Sequence, residues 1–286
     1  MPVRPVRWSL VLSLLFLPFA SSVGAQKPPA LPDLLKLAGE SLAQYANQLG
    51  SVAADEEFMQ FETTSGQMST PKRVNSVVVL HGTQDGTLHA FRDVVAIDTV
   101  PVRAKDDRLA GLFKNPTQAS ITNAESMTEE AVRAYFGQNL HLLDNPLLAL
   151  DLLRTANQDK TTFKVDGMKK VNGVQTAVLK FNENGKGRLV NGGSYVGRYW
   201  IDPATGAIHQ TEMGFVLQVG QIHATVKFTK DTQLDLLVPS ELSEQAQMSS
   251  PQGGLSNMGG GGQLAGRQSL EGRAGYTGYR RVRAQQ

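Results

Sequence analysis

The sequence predicts an α+β fold: a curved antiparallel sheet, or half-barrel, with helices packed on its concave side. Three observations carry this expectation. Apolar residues recur at three- and four-residue steps in several stretches of the first half. The second half instead alternates with a period of two. Short turn signals divide those alternating runs, which suits about eight to ten consecutive antiparallel strands in one layered domain.

The chain opens with Arg4 and Arg7, and no acidic residue precedes Asp33. An apolar run of 13 residues follows, Trp8 to Ala20, ending in the small residues Val23-Gly24-Ala25. This is the pattern of a secretory signal peptide, residues 1–25, and the run is shorter than the roughly 20 residues a spanning helix needs. An uncleaved anchor is the alternative. The expected location is exported, periplasmic or extracellular. Setting the two leader arginines aside leaves 26 Lys+Arg against 26 Asp+Glu. Such a balance argues against nucleic acid as a partner. The absence of cysteine excludes disulfides, thiolate metal sites and a lipid-modified cysteine at the cleavage point.

Residues 26–32 form a proline-rich spacer. A helix is expected over residues 33–49, with Leu35, Ala38, Leu42, Tyr45 and Leu49 as its stripe and Gly50 as its end. Residues 55–62 suggest a strand. A hairpin follows, over residues 73–81 and 88–97, joined at Gln84-Asp85-Gly86, and both of its faces carry apolar residues. Helical spacing returns over residues 116–136 through Ile121, Ala124, Met127, Ala131 and Tyr135, with Pro116 as a first position. A short helix over 146–155 takes Asn145 as its cap.

Strands are expected over 164–171 and 174–181, joined by Asn172-Gly173, a strong hairpin signal. Further strands cover 197–202 and 207–219, on either side of Pro203-Ala204-Thr205-Gly206. In 222–228, Ile222, Ala224, Val226 and Phe228 alternate with polar partners, as in a half-exposed strand. Residues 234–238 continue the pattern. Residues 249–271 read as a glycine-rich flexible loop. Beyond them Arg273, Arg280, Arg281 and Arg283 enclose Tyr276 and Tyr279. That segment suits a closing strand, so the single domain is expected to comprise residues 33–248 and 272–283. A basic tail binding an anionic surface or partner is the alternative.

No motif names a reaction. The five histidines form no close ligand pair; His81 and His89 flank one turn, where a zinc or copper site is the only metal arrangement the sequence suggests. His223, on the polar side of its strand, reads as solvated. Gly192-Gly193-Ser194-Tyr195-Val196-Gly197 misses the nucleophile elbow by one residue. Gly260-Gly261-Gly262-Gln263-Leu264-Ala265 lacks the strand–helix context of a dinucleotide site. Asp55-Glu56-Glu57 and Asp106-Asp107 leave a carboxylate-dependent hydrolase as an outside alternative.

The stretch Gly197-Arg198-Tyr199-Trp200-Ile201-Asp202-Pro203-Ala204-Thr205-Gly206-Ala207-Ile208, followed by Thr211-Glu212, resembles a hairpin of the LolA-like outer-membrane lipoprotein carrier and sorting proteins. Leu234 to Ser243 resembles the C-terminal end of that group. The segment Phe91 to Phe113 further resembles uncharacterised exported bacterial proteins. The LolA-like resemblance implies a half-barrel wrapped around helices, with an apolar hollow for acyl chains or a partner. The expected function is that of a soluble, non-enzymatic envelope protein holding a hydrophobic ligand or lipidated partner without a cofactor, and making transient membrane contact. A wall of Phe91, Trp200, Phe215 and Phe228, lidded by Met127, Tyr135 and Phe136, is expected to line it. Burial of apolar surface, worth about 25 cal/mol per Å², would drive binding.

Overall fold

The computed structural model describes residues 27–64, 66–135, 145–184, 194–217, 220–249 and 267–283. The expected leader, Phe136, His141 and residues 250–266 lie outside these, as does the side chain of Phe215. Helix α1 (Leu31–Leu49) buries Leu34, Ala38, Leu42, Ala46 and Leu49, with Leu35 and Tyr45 partly buried beside them. Gly50, at φ 52°, turns the chain directly into β1 (Ser51–Thr64). That strand begins four residues earlier than its alternation suggested, because Val52, Ala53 and Ala54 are buried on both faces.

The two-residue strand β2 (Gln67–Met68) is followed by the long hairpin of β3 (Lys72–Gly82) and β4 (Leu88–Ile97). Strand β5 (Val100–Pro101) leads into α2 (Arg108–Gly111) and α3 (Gln118–Tyr135). Helix α3 starts at Gln118 rather than Pro116, and Thr117 caps it: its Oγ1 accepts from the Ser120 N–H at 3.2 Å, and Ser120 Oγ accepts from the Thr117 N–H at 3.2 Å. This exchange satisfies N–H groups that a helix start leaves without partners. Asn145 Oδ1 accepts from the Leu147 N–H at 2.8 Å, and α4 (Leu148–Leu153) follows, continued by a 3₁₀ turn over Thr155–Lys160.

The second half supplies β6 (Thr161–Val171), β7 (Val174–Glu183), β8 (Val196–Ile201), β9 (Ile208–Leu217), β10 (Gly220–Asp231), β11 (Leu236–Ser249) and β12 (Arg267–Arg281). Among the described residues, these twelve strands make one antiparallel sheet. Its order is β5-β4-β3-β1-β12-β11-β10-β9-β8-β7-β6, with β2 paired to β1 off this path. Its end strands, β5 and β6, do not pair with each other, so the sheet is not closed. The strand count exceeds the expected range because β2 and β5 are two-residue pairings, too short to show a period in sequence.

The C-terminal segment is a strand, and it occupies the centre of the sheet. Strand β12 pairs with β1 on one side and β11 on the other. Tyr276 and Tyr279 are buried in the main core. Arg281 donates from Nη1 to the carbonyls of Gln48 and Leu49 at 2.6 and 3.0 Å, satisfying the end of α1. Arg280 approaches Asp55 and Asp107. The Tyr/Arg segment is thus largely engaged within the fold.

Two cores follow from the pleat. Val52, Ala54, Val78, Leu80 and Val94 belong to the main core with α1 and α4. Ala53, Val79 and Phe91 belong to a smaller core with α2 and the first half of α3, through Leu109, Phe113, Ile121 and Ala124. Successive side chains of a strand leave opposite faces, so these two cores lie on opposite sides of β1, β3 and β4. Helix α3 therefore does not simply join α4 on one face. It follows the edge region of the sheet and crosses it: Ala131, Val132 and Tyr135 reach the main core. At the crossing, Thr128 Oγ1 accepts from the Arg92 N–H at 2.9 Å, which covers part of the free edge of β4.

Candidate functional site

Helix α1 approaches the sheet closely at two glycines. A Cβ on Gly82 would lie 2.1 Å from the Ala46 carbonyl oxygen, and one on Gly206 would lie 2.5 Å from that of Leu37. Gly206 also has φ 75°, a conformation that L side chains rarely adopt. It closes the Pro203-Ala204-Thr205-Gly206 turn between β8 and β9. Within that turn Asp202 accepts from the Ala204 N–H at 2.9 Å and from the Thr205 hydroxyl at 2.8 Å. The same turn that carries the sequence resemblance is the seat of α1.

Beside this seat lies a cavity of about 160 Å³. Its apolar boundary is Leu42 of α1, Leu150 of α4, Ile208 of β9, Phe228 of β10, and Leu236 and Leu237 of β11. Ser41, Gln44, Gln48 and Asp235 add polar atoms to the lining. Phe228 faces inward with Ile222, Ala224 and Val226, as its strand alternation requires. Tyr45 also borders the cavity. Its ring is partly buried, but its hydroxyl oxygen is fully buried and has no hydrogen-bond partner. Desolvation pushes the phenol pKa up, so the group stays protonated near neutral pH. The nearby Tyr279 is satisfied, donating to the Pro239 carbonyl.

The residues expected to line a hollow fall in different places. Phe228 borders the cavity. Tyr135 packs against the main core away from it. Phe91 and Met127 belong to the smaller core, where Phe91 stacks on Phe113 at 5.1 Å and on His89 at 5.6 Å. Trp200 faces away from the main core, because Tyr199 and Ile201 on either side of it point in. It is buried all the same, with Lys169 Nζ 5.8 Å from its ring centre. Phe136 and the Phe215 side chain lie outside the described residues. Sequence reading did not single out Leu42, Tyr45, Leu150, Ile208 or Leu236 as site residues. The available signal was Tyr45, a polar-tipped ring within an otherwise aliphatic helical stripe.

The other candidates are structural in their contacts. His81 and His89 are direct cross-strand partners with ring centres 6.4 Å apart, and His81 Nδ1 lies 2.9 Å from Ser51 Oγ. No group of three or more potential metal ligands occurs among the described residues. His223 is not simply solvated: its Nε2 lies 3.2 Å from Glu212, which raises its pKa. Asp55 bonds Lys105 at 2.8 Å, whereas the adjacent Glu56 points to the other face and pairs with Arg92 at 2.6 and 2.7 Å. The two carboxylates do not converge on one point. Asp107 approaches Arg280 at 3.8 Å, and Asp106 accepts from the Arg108 N–H at 3.3 Å. No helix among the described residues is long and apolar enough to cross a membrane.

No family model matches the chain, and no curated protein matches it. Among solved structures, the chain is similar to a domain described as an outer-membrane lipoprotein-sorting protein from Vibrio parahaemolyticus, at 13% identity and a TM-score of 0.36 over 86% of this chain and 91% of that one. It is similar to a DUF1329 family protein from Desulfovibrio piger, at 11% identity and a TM-score of 0.36 over 87% and 93% of the two chains. A LolA superfamily protein from Nitrosomonas europaea is also similar, at 9% identity and a TM-score of 0.31 over 86% and 92%.

Proposed function

We propose that this chain is an exported, non-enzymatic binding protein that holds part of a hydrophobic ligand, a lipid or lipidated partner, between α1 and the sheet. The observation that carries the reading is the cavity of about 160 Å³ with its mainly aliphatic boundary. The space opens to solvent on the side of Gln44, Gln48 and the exposed Asp235, which gives a ligand a way in. An engineered apolar cavity of about 150 Å³ binds benzene, which sets the scale for what enters. One ring or one short stretch of acyl chain fits. A larger ligand would extend past Ser41, Gln44 and Gln48.

The proposed architecture is a half-barrel closed around α1 and α4. Helix α4 has six residues, about 9 Å of helix, yet it touches both β4 and β9. Those strands are six steps apart in the sheet, roughly 29 Å if it were flat. Marked curvature toward α4 supports a concave side holding these two helices.

Two measurements test the reading. Native mass spectrometry of purified protein should detect bound apolar material. Short acyl esters should also raise the melting temperature, by about 2.7 kcal/mol of stabilisation at a hundredfold excess over Kd. The substitution Ile208→Phe, which fills the cavity, should abolish that rise while circular dichroism stays unchanged. A wild-type protein that neither retains nor responds to such ligands overturns the reading.

A further inference from the structure

Strand β6 is one end of the sheet, and among the described residues it pairs with β7 alone. The Asn184 N–H donates to the Lys160 carbonyl at 2.8 Å, which sets the phase of this ladder. Bonded positions alternate along an antiparallel pair, so Thr162 and Lys164 bond to β7. The N–H and C=O groups of Thr161, Phe163 and Val165 therefore point away from the sheet. Phe163 and Val165 are half-buried against the main core, while Thr162 and Lys164 are exposed on the opposite face. Lys164 stands beside Lys180 of β7, and Lys180 beside Arg198 of β8, so three cations share one cross-strand row. Lys180 bonds Asp166 at 2.8 Å and Arg198 bonds Glu212 at 3.0 Å. Lys169 and Lys170 add further exposed charge to β6, against Asp166 alone. Like charges opposed across strands are unfavourable, and an acid on the open side of Lys164 would relieve the row. After Val165 a bulge at Asp166-Gly167 breaks the register, with φ 108° at Gly167. The regular edge is thus short and closed at one end.

We infer that this edge is a docking site for an extended acidic segment of a partner protein, added to the sheet as a further strand. The matching segment reads apolar, acidic, apolar. Its acid stands beside Lys164, and its apolar neighbours continue the half-buried surface of Phe163 and Val165. That pattern reads alike in both directions, so either strand orientation satisfies it. A second copy of the chain does not fit, because each β6 carries three lysines and one aspartate. Lysines and a bulge also keep an edge from pairing at random, and an acidic strand is the partner they do not repel. Neither Phe163 nor Val165 lines the cavity, so the inference stands apart from the ligand proposed above.

The probe is a short peptide of alternating valine and glutamate, acetylated and amidated, titrated into the isotope-labelled full chain and followed by NMR. Its controls are the lysine-for-glutamate peptide and an N-methylated version that cannot donate along the pairing edge. The acidic peptide should shift the amides of Phe163 and Val165. It should bind roughly tenfold more tightly than the basic one, an attraction gained and a repulsion avoided. High salt should shrink that preference, because exposed charges are screened. Lys164→Glu should remove or reverse it while circular dichroism stays unchanged. Ile208→Phe should leave peptide binding as it is, which separates this edge from the cavity. Equal binding of the acidic and basic peptides overturns the charge selection. Binding undiminished by N-methylation, or shifts confined to other strands, overturns the edge pairing. If neither peptide binds, the lysines and the bulge only guard the edge and the inference fails.

Discussion

At the scale of single residues, the most consequential pair is Glu56 with Arg92, whose side chains are 0% and 6% exposed. Two short bonds hold them, and removing one partner of such a pair strands a charge in the core. Arg92→Met should therefore cost about 3–5 kcal/mol in urea unfolding. The double variant Glu56→Leu/Arg92→Met should cost less than Arg92→Met alone. Equal losses would place the defect in packing rather than charge. The histidines give a pH signature. Burial, and for His81 secondarily its neighbour His89, holds both imidazoles below their ordinary pKa. The fold thus favours their neutral forms. Their contribution to stability is complete above about pH 6.5 and is lost as pH falls through the lowered folded-state values. His223 works oppositely: its contribution is present below about pH 6.5 and fades as pH rises through its raised value. His89→Phe keeps the ring against Phe91, so its melting temperature should fall less than that of wild type between pH 7.5 and 5.5.

At the scale of elements, the docking of α1 decides whether the cavity exists. Gly206→Ala puts a Cβ at a left-handed φ and against the Leu37 backbone. It should cost about 2–4 kcal/mol, combining backbone strain and overpacking, and should weaken ester binding because α1 is one wall. Gly275→Ala is the control: a Cβ there meets nothing within 4 Å, and stability should change little. Much of this element scale was legible in the sequence. Helical stripes located α1, α3 and α4, and Asn172-Gly173 located its hairpin, with φ 48° and 85° at the two residues. The start of β1 was not legible, because an Ala-rich stretch buried on both faces has no alternation to read. Strand β5 and helix α2 were missed for a related reason: they are short, and ion pairs of Asp93 with Arg103 and Arg108 tie the α2 region to the sheet. Such long-range pairs leave no local periodic signal.

At the scale of the whole molecule, β12 joins what would otherwise be two sheets. Strands β1 to β5 lie on one side of it and β6 to β11 on the other. A chain ending after Ser249 loses both pairings, two buried tyrosines and the Arg281 bonds to α1. It should not fold cooperatively, and far-ultraviolet circular dichroism with urea titration should show a broad or absent transition. A truncated chain that retains a native, cooperative transition would show that β12 is an addition to a finished fold.

The sequence by itself determined the class of fold, the alternation that points Phe228 inward, and the turn at Gly206. These depend on residues near one another in the chain, where period and backbone preference act directly. Only the tertiary structure decided which aromatic residues share a space. Phe91, Trp200 and Phe228 look alike in sequence, yet strand parity and the path of α3 send Phe91 and Trp200 away from the cavity that Phe228 borders.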